Sequence, residues 1–129
     1  MAGQATYFLA NSEINAELRG IPYTPPGTGY LALFSVAPTR AGGGTEIVGN
    51  GYVRQAITMG APANGVSSNS AQVNFPDATP AGYTVNGWAI FDAIGGGNQL
   101  FNEDTSGAPK TIAVGNNFKV AIGSLIVTR

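Results

Sequence analysis

The side chains that could do chemistry here are few: seven carboxylates and six basic groups, with no histidine and no cysteine. Those two absences remove the usual zinc ligand sets, histidine-based triads and Cys-His dyads, and with them any disulfide framework. Of Glu13, Glu17, Glu46, Asp77, Asp92, Glu103 and Asp104, only the last two are adjacent, and neighbours along a strand or turn point apart. A glycosidase pair could still be drawn from carboxylates distant in the chain, but no spacing marks one, and the sequence reads as non-enzymatic. NEDTSG at 102–107 sets oxygen ligands around a turn yet lacks the spaced acidic pattern of a calcium loop, so it reads as a solvated turn. No metal and no cofactor is implied.

Two further stretches invite a ligand. TRAGGGTEIVGN, Thr39 to Asn50, resembles a phosphate cradle, but nucleotide loops need a helix opening directly behind the glycines, and strand composition follows here. The stretch therefore reads as a hairpin loop or a β-arm. Trp88, the single tryptophan, could stack on a sugar ring; inside an apolar run it reads as core.

The elements that must position these residues are strands. Charged residues are 10% of the 129, against roughly 25% in an average soluble domain, and 19 glycines with 8 prolines favour short strands and turns. YLALFSVA, from Tyr30, is apolar on both faces, as a covered central strand is. YVRQAITM, from Tyr52, alternates, placing Val53, Gln55, Ile57 and Met59 on one face, with Tyr52, Arg54, Ala56 and Thr58 on the other. AQVNFP brings Val73 and Phe75, YTVNGWAIFD is a long strand, NQLFNE returns from a glycine hairpin, and KTIAV, NNFKVAIG and SLIVTR close the chain. GAPANGVSSNS reads as a turn-rich link.

One helical period shows, over FLANSEINAELR at 8–19. Leu9, Ile14 and Leu18 share a stripe, Ser12 or Asn11 can cap, and Gly20 stops the run. Such a helix is too short to stand alone, so its stripe must lie on the sheet of its own domain, the first reading, or on a neighbouring subunit. About eight strands at regular spacing predict an all-β single domain over 1–129, a β-sandwich of jelly-roll type, with the helix and a proline-rich connector as residues 1–29.

A net charge of −1 with scattered basic residues gives no footprint for nucleic acid. No apolar run approaches the roughly 20 residues that cross a bilayer, and MAGQATYFLAN is not built as a signal peptide.

The ordered series FLANSEINAELRG, YTPPGTGYLALFSVAPT, GTEIVGNGYVRQAITMGAP, SNSAQVNFPDAT, GWAIFDAIGGGNQL and GSLIVTR resembles a family of small virion structural proteins of tailed bacteriophages, which includes tail-fibre-like proteins and capsid cement or decoration proteins. The resemblance implies a non-enzymatic virion component made in the host cytoplasm. Its first reading is a cement protein on the capsid surface, a homotrimer partnered with the major capsid protein; the alternative is a tail-fibre module that contacts host glycans through exposed aromatics such as Trp88 or Tyr52. For either, the interface candidates are Tyr7, Phe8 and Leu9, Tyr23 in the connector, and the loop residues Arg40, Gly42, Gly43, Gly44 and Glu46.

Overall fold

The computed structural model describes residues 1–129. Its elements in order are β1 Ala2–Ala5, α1 Tyr7–Arg19, β2 Gly29–Val36, β3 Thr45–Glu46, β4 Gln55–Ile57, β5 Val66–Ser68 and β6 Val73–Asn74. There follow β7 Tyr83–Val85, β8 Gly87–Phe91, β9 Gln99–Asp104, β10 Lys110–Ile112, β11 Lys119–Val120 and β12 Ile126–Thr128. The fold is all-β with one short N-terminal helix, as expected.

Eight strands form one sheet in the order β3-β2-β8-β9-β1-β12-β5, with β4 joining β3 along the same edge of β2. Only β1 and β12 pair in parallel within it. The chain leaving β4 pairs with the far end of the sheet: Met59 bridges Asn69, the Gly60 N–H donates to Ser68 O at 2.8 Å, and the Ser70 N–H donates to Thr58 O at 2.9 Å. The sheet thus curls until the chain leaving β4 covers the outer edge of β5.

Asn69 is the keystone of that seam. Its side chain donates to Ala71 O and Ala121 O at 2.8 and 3.0 Å and accepts from the Leu125 N–H at 2.9 Å. Alanine there would strand the buried Leu125 N–H and leave two half-buried carbonyls to water, and we expect Asn69→Ala to cost about 1–3 kcal/mol in urea unfolding. A loss within error of zero would show that water replaces the side chain.

The second layer is two ribbons, β7–β10 and β6–β11. Leu31, Leu33, Trp88 and Ile90 on the concave sheet face meet Phe75, Val85, Ile112, Phe118 and Val120 from or beside the ribbons. The architecture is sandwich-like, but its order is not the two four-stranded sheets of a jelly roll. The reason lies at Asn86, where the single strand expected over YTVNGWAIFD changes partners: β7 joins a ribbon and β8 the sheet. Gly87 permits the crossing, since a Cβ there would meet Pro38 Cδ at 2.9 Å and Ala37 Cα at 3.0 Å.

Several expectations hold: Leu31 to Phe34 are buried on both faces of β2, Val73 and Phe75 point inward, and Trp88 is 1% exposed. Others need correction. YVRQAITM forms a ladder only over Gln55–Ile57; Ile57 and Met59 face the core as expected, but before the ladder Val53 is exposed, whereas Arg54 is buried and Tyr52 packs on the core, reversing the expected faces there. The supposed link GAPANGVSSNS contains β5, entered through a two-residue turn at Asn64-Gly65, whose φ angles of 53° and 76° suit this pair. β1 was hidden by the weak strand composition of AGQA. Its Gly3 is required, because a Cβ would collide with the Trp88 ring.

The helix starts earlier than its polar residues suggested. Thr6, not Ser12 or Asn11, is the cap, accepting from the Leu9 N–H at 3.3 Å and donating to Gln99 O at 2.6 Å. Ser12 instead donates to Phe8 O inside the helix. Gly20 ends it in the left-handed region, φ 66°. Thr6→Ala is expected to destabilise by about 1–2 kcal/mol, measured by thermal melting; an unchanged melting point would mean that the β1–β9 ladder alone fixes the helix start.

Candidate functional site

The outward side of α1 is more apolar than the side it packs. Leu9 alone is buried, against Ala5 and Leu100. Ile14 is 52% exposed and Leu18 80%, with Tyr7, Phe8 and Ile21 also in solvent. This corrects the expectation that the stripe packs within the domain, and the cause is spacing: Leu9 lies about 140° round the helix from Ile14 and about 180° from Leu18, so burying it against β1 and β9 turns both away.

The glycine loop joins this surface. The Tyr7 N–H donates to Arg40 O at 2.8 Å, Arg40 Nε donates to Ala5 O at 3.0 Å, and its guanidinium lies 4.8 Å from the Tyr7 ring centroid. Gln99 holds Gly43 O at 2.9 Å. Thr39 bridges Gly42 and β3 folds back on β2, so the segment is a hairpin tied to its own sheet. Gly42 and Gly43 face open space, whereas Gly44 is packed, with Phe34 and Val36 O where a side chain would go. Tyr23 packs partly against the Leu9 cluster and meets Phe8 edge-on at 6.4 Å.

Of the sequence-derived interface residues, then, the structure brings Tyr7, Phe8, Tyr23, Arg40, Gly42 and Gly43 to one continuous surface. Leu9 is internal, and Glu46 belongs to a separate network. Ile14 and Leu18 complete the surface, and their outward direction could not be read without knowing where β1 lies.

Glu46 is committed to the fold. Arg54 donates to both of its carboxylate oxygens, at 2.7 and 2.8 Å, and its remaining nitrogen donates to Ala93 O and Gly96 O at 2.9 and 2.7 Å. The guanidinium lies 3.6 Å above the Phe91 ring, which stacks on Phe34. Tyr52 donates to Glu46 at 2.6 Å and accepts from the Leu33 N–H at 3.0 Å, filling a ladder position that the excursion between β3 and β4 leaves empty. Burial pushes the Glu46 carboxyl up, but hydrogen bonds from Arg54 and Tyr52 outweigh it and hold the group below its ordinary range. Burial, then the bond to Glu46, pushes the Tyr52 phenol up. The network pins two glycine loops over the convex face of the sheet.

A groove of about 890 Å³ runs between α1, the proline-rich connector and the sheet, with Tyr23, Pro25, Ile57, Met59 and Phe101 in its walls. Its one carboxylate, Glu13, is paired with Arg129. No three acidic side chains gather to hold a metal, and no helix is long and apolar enough to cross a membrane.

The fold so described combines a buried charge network with an exposed apolar helix face. The chain belongs to the family described as podophage GP4 fiber I protein gp80, whose model matches residues 4–128. It is a bacteriophage virion structural protein. No individual curated protein matches it.

Proposed function

We propose that the protein is a tail-fibre component of a podophage, assembling with copies of itself through the outward face of α1 and contacting host-surface glycans. The observation that carries the fibre reading is the family match across nearly the whole chain. The apolar patch of Tyr7, Phe8, Ile14 and Leu18 supports self-assembly, because a stripe of this kind costs solvation when left bare. A capsid-cement role beside the major capsid protein has no comparable support.

Copy number separates the two. Quantified in purified virions, the protein is expected at a small fraction of the major capsid protein; near-stoichiometric amounts would overturn the fibre reading. Self-assembly has its own test. Ile14→Glu with Leu18→Glu is expected to keep the folded monomer's far-UV circular dichroism, since both side chains are exposed, while light scattering shows a homo-oligomer reduced to monomer. An unchanged oligomer would remove α1 from the interface.

A further inference from the structure

Both lysines of the chain, Lys110 on β10 and Lys119 on β11, fall in one shallow depression of about 470 Å³, with Thr111, Gly115, Asn116 and Asn117 completing its wall. The reverse turn between β10 and β11, closed by the Asn116 N–H donating to Ala113 O at 3.0 Å, brings the two to one depression. No carboxylate lines the depression, and neither ammonium takes part in an ion pair, the two such pairs being Glu46–Arg54 and Glu13–Arg129. In a chain of net charge −1 this is a local concentration of unpaired positive charge.

Its base is rigid. The Gly115 N–H donates to Ala78 O at 2.9 Å and the Ala78 N–H to Asn116 O at 2.8 Å; Asn117 Nδ2 donates to Phe75 O, also at 2.9 Å. Lys110 Nζ sits 5.4 Å from the centroid of the buried Phe118 ring, whose face attracts the cation and restrains it. Fixed backbone, two cationic donors and uncharged hydrogen-bonding neighbours suit an oxyanion carried on a hydroxyl-rich scaffold.

We infer that this depression binds the anionic group, phosphate or carboxylate, of a host-surface saccharide, an inference that rests on the fibre reading. The lysines supply the charge, and Thr111 with Asn116 can meet sugar hydroxyls beside it. The site holds no exposed aromatic platform, so neutral sugars have little to stack on.

The test is titration of the full chain with glucose 6-phosphate, glucuronic acid, glucose and inorganic phosphate, followed by amide NMR. A charged sugar is expected to shift resonances across Lys110–Lys119 and to bind at least tenfold more tightly than glucose or inorganic phosphate, with the two charged sugars telling phosphate from carboxylate. Lys110→Gln with Lys119→Gln should weaken that binding at least tenfold at an unchanged melting temperature. Equal binding of glucose, equal binding of inorganic phosphate, or a double variant that binds as the parent does would each overturn the site. Virion labelling is read separately: label on the fibre without charged-sugar binding rejects this site alone, and label on the head rejects the fibre reading beneath it.

Discussion

Glu46→Ala is expected to cost about 3–5 kcal/mol of folding stability, the largest effect of any surface-proximal substitution in this chain. The side chain of Arg54 is 8% exposed, and removing its partner leaves a guanidinium charge in that environment with only the Ala93 and Gly96 carbonyls for company. The loss also frees the Tyr52 hydroxyl and through it the Leu33 N–H. Replacing the pair together, Glu46→Gln with Arg54→Met, should recover part of the loss, because two neutral side chains need no mutual compensation. Chemical unfolding of the single and double variants measures this, and additive losses would show that the pair is not coupled.

The same network predicts how stability follows pH. The folded Glu46 carboxyl is held below its unfolded value, so the stability it contributes is fully present above about pH 4.3 and is lost as pH falls through the folded value. Glu46→Gln should flatten that acid limb. A limb of unchanged steepness would assign the acid sensitivity to another carboxylate.

Trp88→Ala is the second large effect, about 3–5 kcal/mol, through the cavity left by a fully buried indole. The ring spans the concave face from Leu33 to Gly3, and its Nε1 donates to Glu103 at 2.7 Å. Loss of the indole would unsettle both layers and the β1 strand that carries the helix. The variant is therefore expected to lower the melting temperature sharply. Any accompanying loss of glycan binding would follow from unfolding, and Trp88→Phe, which retains most of the volume, should keep binding while losing less stability. Lost binding in a fully stable Trp88→Ala protein would contradict the core assignment and return Trp88 to the sugar-stacking role.

What the sequence makes legible is whatever depends on local pattern. Leu31 to Phe34 announce a doubly covered strand because apolar residues occur in both phases. Gly20 announces the helix end because few other residues tolerate its backbone angle. Partnerships made by tertiary folding leave no such mark. Nothing in the spacing of Glu46 and Arg54 pairs them; the excursion between β3 and β4 does, across a stretch that the sequence divides into a loop to Asn50 and a strand from Tyr52. AGQA is a strand only because β9 and β12 flank it on both sides. The outward turn of Ile14 and Leu18 follows from that same hidden strand, which is why a stripe expected in the core became an exposed surface.

The glycine loop shows both sides of this. Its hairpin character was readable from composition, but its attachment to Ala5, Tyr7 and Gln99 was not. Tied in this way, Gly42 and Gly43 extend the helix surface instead of reaching away from it.

The fibre assignment is tested most directly by locating the protein on the intact virion with a gold-labelled antibody raised against the folded chain. Label confined to the tail fibres is the predicted result; label distributed over the head would contradict it.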